Sequence, residues 1–363
     1  MIDRRLFAHF DWQLLALVLV ISSIGVLNLY SATFGEAESH LYAKQILWIG
    51  IGLALALFIT IFDYRVYQDF AYIFYGISLI LLMGVFMHKS IHPEVSRWIK
   101  VGPFFFQPAE IAKVTVILSM AKYFDRFPKR EGYQLRELIF PFIILMIPSL
   151  MVGKQPDLGT AISLLLIGFS IVLFVKIRWR SLMIMMVGAL FILPFMWNFL
   201  MPYQKKRILT FFRPGLDPLG SGYHIIQSKI AIGSGGIWGK GFLKGTQCKL
   251  HFIPAQHTDF VFSVLAEEWG LIGGLILLGL YLFLLVWGVN ISIRSKDRFG
   301  AIVSFGVVAM IFWHIIINVG MAVGMMPVVG MPLPFMSYGG SSMLCMMAGI
   351  GLLLNISMRR YIF

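Results

Sequence analysis

Charge is scarce in this chain of 363 residues: Asp, Glu, Lys and Arg make up 13%, and acids are the rarer sign, 17 against 30 basic residues. With 59% hydrophobic residues, too little polar surface remains to cover a soluble globule of this length. Cysteine is nearly absent. Cys248 and Cys345 alone build neither a disulfide framework nor a four-cysteine zinc site. A Walker A loop is missing too, because GSGGIWGKG places Ser234 five residues before Gly239 and follows Lys240 with Gly241 rather than Ser or Thr. Nucleotide hydrolysis therefore has no support. The start, MIDRRLFAHFDWQ, is basic, but no small-residue cleavage site follows the first apolar run, which continues to spanning length and reads as a retained helix.

What the chain does have is long apolar runs. About 20 residues at 1.5 Å each cross a bilayer core, and ten runs qualify: 13–32, 44–62, 67–87, 108–124, 137–153, 158–176, 181–200, 259–289, 300–323 and 339–357. None alternates as a membrane-barrel strand would. The expected fold is an all-α polytopic membrane protein with ten transmembrane helices, residues 1–363 forming a single integral membrane domain. Lys and Arg of the short loops set its orientation. Arg4, Arg5, Arg65, Lys122, Arg126, Lys129, Arg130, Arg136, Lys176, Arg178, Arg180, Arg294, Lys296, Arg298, Arg359 and Arg360 gather on one side, against Lys44, Lys89, Arg97, Lys100 and Lys154 on the other. Both termini then face the cytoplasm, and 201–258 becomes one long extracytoplasmic loop between helices seven and eight.

That loop is basic, with Lys205, Lys206, Arg207, Arg213, Lys229, Lys240, Lys244 and Lys249 against the single acid Asp217. Contact with anionic headgroups is the plain reading; capture of a phosphate or pyrophosphate is the functional one. Within it SGYHIIQSKIAI suits a short interfacial helix, and GSGGIWGKG a close-approach backbone. Five acids stand in or at the spans: Glu110, Asp157, Asp259, Glu267 and Glu268. A helix from Asp259 to Val289 would be about 46 Å long, so its start would stand in the outer headgroup layer. Asp259 then lies at the depth of lipid phosphates. Glu267 and Glu268 would lie about 12 Å deeper, where each needs a partner or a polar cavity.

QPAEIAK sets Glu110 and Lys113 three apart on one helix face, behind a first-turn proline, Pro108. This is either a local ion pair or a lysine pointed at an outer anion. KQPDLGTA places Lys154 and Asp157 at a turn shaped by Pro156 and Gly159, where Asp157 alternatively caps a helix. In MPLPFMSYGGSSM, Gly339, Gly340, Ser341 and Ser342 open the last helix, fit for close packing or for holding an anion at the helix N-terminus. His251 and His257 beside Asp259 make a weak metal pattern.

WIKVGPFFFQPAEIAK, KQPDLGTA, GKGFLKGTQCKLHFIPAQHTDFVFSVLAEEWG and PLPFMSYGGSS together resemble the signature blocks of the SEDS family of bacterial cell-wall polymerases, nearer its elongation branch than its division branch. The resemblance implies a peptidoglycan glycosyltransferase of the cytoplasmic (inner) membrane that polymerises lipid II on the outer face. It places the essential acid on Asp259, and matches Glu110, Lys113 and Asp157 to other family positions. Lys44 stands where the family pattern has arginine. The resemblance also implies a class B penicillin-binding protein, the crosslinking transpeptidase, and elongation-complex membrane proteins as partners; no nucleic acid is expected.

The chemistry that follows has Asp259 as general base on an acceptor 4-hydroxyl. Lys113, with Lys44, Lys240 and Lys244, would stabilise a departing pyrophosphate, and Ser341 and Ser342 are further substrate-binding candidates. No cofactor is required by the sequence; a divalent cation, Mg or Mn, bridging the pyrophosphate and an acid is compatible with it. Two other function classes stand beside this one. A lipid II flippase would place buried charge at the midplane, and a non-catalytic scaffold would make Asp259 structural.

Overall fold

The computed structural model describes residues 9–34, 40–89, 97–101, 104–155, 157–213, 215, 217, 220–250, 252–253 and 255–360. Helices α1 (Trp12–Ala32), α2 (Leu41–Ile61) and α3 (Tyr64–Lys89) lead into a two-stranded antiparallel hairpin, β1 (Ile99–Val101) and β2 (Phe104–Phe106). Then come α4 (Pro108–Arg126), α5 (Ile139–Lys154), α6 (Leu158–Phe174) and α7 (Trp179–Phe199). After them lie α8 (Pro202–Phe212), α9 (Ser221–Gly235), the single turn α10 (Thr246–Lys249), α11 (Val261–Ile293), α12 (Arg298–Ala322) and α13 (Gly340–Arg359). A helix occupies each of the ten expected runs. Seven helices among the described residues are long and apolar enough to cross a membrane, and α6 is apolar but shorter. This is a polytopic, helical membrane protein with one small hairpin that the apolar pattern did not announce.

Local chemistry explains where the helices start. Asp11 accepts from the Leu14 N–H at 3.2 Å, Asp157 from that of Thr160 at 3.2 Å and Asp297 from that of Gly300 at 2.7 Å. Each satisfies an amide donor that a helix N-terminus otherwise leaves unpaired. Pro108 takes the first position of α4, where no N–H is needed.

α12 and α13 form the centre, with most of their residues buried, whereas α2 and α3 turn large apolar side chains such as Ile46, Phe58, Ile80 and Met87 outward. An outer surface this apolar is that of a protein whose solvent is lipid. The hydroxyl and amide groups inside are paired across helices: Asn28 on α1 donates to the Val261 carbonyl at 2.8 Å, and Asn355 on α13 to the Ile59 carbonyl at 2.6 Å.

Two expectations change. The stretch 201–258 is largely helical, holding α8, α9 and α10. α9 packs against α11 and α12: Ser228 Oγ stands 2.6 Å from Ser263 Oγ on α11 and donates to the Ala322 carbonyl at 2.5 Å. The helix expected from 259 to 289 begins at Val261, ends at Ile293 and breaks at Gly270, where φ is 66° and ψ is −161°. The break divides it into a nine-residue piece of about 13 Å and a later piece of about 34 Å, and only the second has the length to span. Glu267 and Glu268 therefore sit on the short piece.

The backbone groups freed at the break are taken up by the glycine-rich segment after α9. Lys240 and Gly241 donate N–H to the carbonyls of Glu267 and Glu268 at 3.0 and 2.9 Å, while Leu271 and Ile272 donate to Gly236 and Ile237 at 2.9 and 3.2 Å. Irregular backbone inside a membrane protein survives only with such replacement partners. The approach is so close that a Cβ on Gly239 would lie 2.1 Å from the Glu268 carbonyl oxygen, and one on Gly270 2.4 Å from the Gly239 nitrogen.

Candidate active site

Asp259 lies in the turn that leads into α11. Ala255, at φ 52°, aims its carbonyl at the N–H groups of Thr258 and Asp259, both at 3.1 Å. Residue by residue, neighbours then fix this turn. Asn318 Nδ2 on α12 donates to the Asp259 carbonyl at 2.9 Å and to that of Met331 at 2.7 Å. Ser337 Oγ donates to the Thr258 carbonyl at 2.5 Å, and the Tyr338 N–H to that of His257 at 3.0 Å. The Asp259 backbone is thus held, and its carboxylate is half-buried. Gly330, at φ 73°, lies under it: a Cβ there would stand 3.4 Å from Oδ2.

Asp157 is brought to the same region by the proline-rich stretch, because Gly159 packs directly on the Val329 carbonyl. Its carboxylate caps α6 through Thr160, accepting from Oγ1 at 2.9 Å, and accepts from Gln107 Nε2 at 2.6 Å. The Gln107 N–H in turn donates to Ser341 Oγ at 3.0 Å, and Ser341 donates to the Phe105 carbonyl at 3.3 Å. One chain of hydrogen bonds thus joins the hairpin and the starts of α4, α6 and α13.

Arg207 on α8 is the cation of this site. It is half-buried, and its charge acts on both Asp259 and Asp157. Burial pushes the Asp259 carboxyl above the usual carboxylate range; Arg207 opposes that rise most, followed by the Thr258 hydrogen bond, His257 and Arg97. Burial, and then repulsion from Arg97, lowers the Arg207 value. A half-buried carboxylate with a raised pKa, in the field of a guanidinium, is suited to taking a proton while an anion departs nearby.

The other expected residues are distributed differently. Lys113 is fully buried, 2.9 Å from Glu110 and 2.9 Å from His314 Nε2, an internal cluster rather than a lysine standing open in an outer cavity. Lys240 donates to Glu267 and Thr246, each at 2.7 Å. Glu267 also accepts from the Gln247 N–H at 2.9 Å, and Glu268 from Ser31 Oγ. Glu267 fastens the segment after α9 to α11, and Glu268 fastens α11 to α1. Lys44 and Lys244 are exposed, and Ser342 is half-buried beside Gly339. Pro156 and His251 lie outside the described residues. No group of three or more His, Cys, Asp or Glu is placed to hold a metal ion among the described residues.

Sequence reasoning passed over Gln107, Asn318 and His314, and named Arg207 only among the basic residues of its segment. Arg207 was one of many basic residues in its segment, and the three others are polar residues at the edge of, or within, apolar runs. That position was the available signal.

Known proteins match this arrangement across nearly its whole length. The family model FtsW/RodA/SpoVE, described as cell cycle protein, matches residues 4–362. The peptidoglycan glycosyltransferase MrdB of Escherichia coli strain K12 is 40% identical over 353 residues, covering 97% of this chain and 94% of that protein. A solved structure described as "structural coordination of polymerization and crosslinking by a peptidoglycan synthase complex" superposes with a TM-score of 0.83 at 33% identity, covering 98% of this chain and 99% of that one. The crystal structure of Thermus thermophilus rod shape determining protein RodA gives a TM-score of 0.71 at 30% identity, covering 97% and 98%. The chain belongs to the SEDS family, the FtsW, RodA and SpoVE proteins.

Proposed function

We propose that this protein is a peptidoglycan glycosyltransferase of the elongation type, polymerising lipid II into β-1,4 glycan strands at the outer face of the bacterial cytoplasmic membrane. The observation that carries the reading is the placement of Asp259: a poised carboxylate on a backbone-fixed turn, with Arg207 in electrostatic reach of it and of Asp157. Its relatives' names give the substrate class. A lipid-borne donor also suits a site at this place, since its isoprenoid tail lies in the bilayer and its pyrophosphate at headgroup depth.

The reaction is a single displacement. Asp259 takes the proton from the acceptor GlcNAc 4-hydroxyl as that oxygen attacks C1 of the donor MurNAc; the C1–O bond breaks, and undecaprenyl pyrophosphate leaves with the bonding electrons. Attack from the opposite face converts the α-linked donor into a β bond. Arg207, rather than Lys113, supplies the nearest positive charge to the leaving group, with Lys244 and Lys44 at the exposed rim. Asp157, held by Gln107, orients the cavity wall, and Glu110 with Lys113 braces α4 behind it.

Ten crossings place both termini in the cytoplasm and the 201–258 segment outside, as the distribution of Lys and Arg favours. The whole chain is then one integral membrane domain. A class B penicillin-binding protein partner suits the reading, because newly made strands require crosslinking.

The test is polymerisation of labelled lipid II by the purified protein with its transpeptidase partner, comparing the unaltered chain with Asp259→Asn at matched folded yield. Loss of polymer with lipid II binding retained supports Asp259 as the base. Polymer from the variant at the unaltered rate removes Asp259 from that role, and lipid II scrambling in vesicles without polymer from either protein points to a flippase.

A further inference from the structure

Three side chains form a closed unit between α4 and α12. Lys113 Nζ lies 2.9 Å from Glu110 Oε1, 2.9 Å from Glu110 Oε2 and 2.9 Å from His314 Nε2, and all three residues are buried. An ammonium has three N–H donors. Glu110 Oε1 and His314 Nε2 each accept one, while Glu110 Oε2, equally near, takes part only in the ion pair. On its other side, His314 Nδ1 stands 2.8 Å from the Met310 carbonyl, one turn back on the same helix. A carbonyl only accepts, so Nδ1 carries the ring proton and Nε2 offers its lone pair to Lys113. The tautomer is assigned by its two neighbours. The titratable groups facing this unit are Glu110 and Lys113 from α4 and, from α13, the Cys345 thiol, whose Sγ lies 3.1 Å from the Glu110 carbonyl.

The same face of α12 reaches the candidate base. Asn318 stands four residues after His314, one helical turn on, and holds the Asp259 carbonyl at 2.9 Å. α4, to which His314 is joined through Lys113, begins just after Gln107, whose side chain holds Asp157 at 2.6 Å. One stripe of α12 therefore ties the helix that governs Asp157 and Glu110 to the turn that carries Asp259.

We infer that His314 is a positioning residue: through Lys113 it fixes the start of α4 against α12 and so sets the placement of Glu110 and Asp157 relative to Asp259. Its kinetic consequence rests on the glycosyltransferase reading above; its geometry does not. His314 touches no reacting atom. Its loss is felt as misplacement of groups that do, and misplacement on the scale of an ångström costs up to about 100-fold in rate.

Two variants separate positioning from mere filling of space. His314→Phe fills the site but removes one of the two hydrogen-bond acceptors of the buried ammonium, leaving it to Glu110 alone. His314→Gln keeps an oxygen where Nε2 stands. With the full chain and its transpeptidase partner, the Phe variant loses kcat by about tenfold at nearly constant KM, and the Gln variant recovers most of it. Equal kcat per folded molecule in the Phe variant and the unaltered chain overturns the inference, as does a Gln variant no better than the Phe variant.

A measurement on the unaltered protein covers the case in which neither variant folds. Nitrogen NMR of protein carrying 15N-histidine, with His314 assigned by coupling to selectively labelled neighbours, reads a neutral, Nδ1-protonated ring. An Nε2-protonated or doubly protonated ring overturns the inference. Failure of the unaltered chain to make polymer counts against the glycosyltransferase reading, while the ring signal still decides the geometry.

Discussion

Lys240 meets Glu267 twice: its backbone N–H donates to the Glu267 carbonyl at 3.0 Å, and its ammonium donates to the Glu267 carboxylate at 2.7 Å. Main chain and side chain thus join the segment after α9 to the short first piece of α11. The carboxylate is fully buried and the lysine only partly exposed. Lys240→Met leaves Glu267 with Thr246 and backbone donors only, and is expected to cost about 1–3 kcal/mol. Thermal unfolding in detergent measures it, with proteolysis within residues 233–249 rising in step; an unchanged Tm and cleavage rate would remove the pair from the fastening role.

The break in α11 makes a sharper prediction. Gly270 has a backbone conformation nearly reserved for glycine, and both it and Gly239 sit where a Cβ would collide with main chain. Gly270→Ala and Gly239→Ala are each expected to destabilise by about 1–3 kcal/mol or to lower folded yield. Gly50, whose Cβ position meets open space, serves as the control: Gly50→Ala should leave the unfolding midpoint in place.

Asp259→Asn preserves size and loses the proton acceptor. General-base contributions run to about 10²–10⁴ in rate, and a fall of that order in kcat, with lipid II binding held, is expected from polymerisation assays. A larger change in binding than in turnover would assign Asp259 to substrate affinity instead.

The dependence on pH follows from the raised Asp259 value. A base acts only when deprotonated, so lowering the pH switches activity off through its pKa, and a raised pKa places that acid limb at higher pH than an ordinary carboxylate would. Arg207 opposes the rise. Arg207→Gln should therefore move the acid limb to still higher pH, besides reducing kcat. A limb that stays in place or moves down in pH–rate profiles of kcat would show that Asp259 does not titrate in the working step.

Removing Lys113 alone strands the Glu110 carboxylate in the interior. Lys113→Met is expected to cost about 3–5 kcal/mol, and Lys113→Met with Glu110→Leu less than the single change, since the uncompensated charge goes with its partner. Denaturation of the two variants side by side gives the comparison.

Much of the helical architecture was legible because apolar runs are long, and one start is marked: Asp157 before Leu158 acts as a cap. The short piece before Gly270 was not legible. Val261 to Ile293 reads as one apolar run, and only the docking of a distant glycine-rich segment explains why its ladder stops. The same limit applied at the site. Asp259 stood out as an acid at an apolar boundary, and Glu110 with Lys113 as a helical pair. Arg207 did not, because charge in a basic segment carries no address until α8 packs. His314 and Asn318 gained meaning only when α4 and the Asp259 turn came to rest against one face of α12.

The break at Gly270 also resolves a conflict between insertion into the bilayer and chemistry at its edge. Moving an acid to the centre of an inserting helix costs about 2.5–3.5 kcal/mol on the insertion scale. Leu271 to Ile293 carries none, since the two glutamates end at position 268. The segment that inserts is thus wholly uncharged, while the acids that hold the segment after α9 belong to a piece of chain that need not cross. A single helix is in this way divided by one residue into a part suited to the lipid and a part that anchors the neighbouring segment.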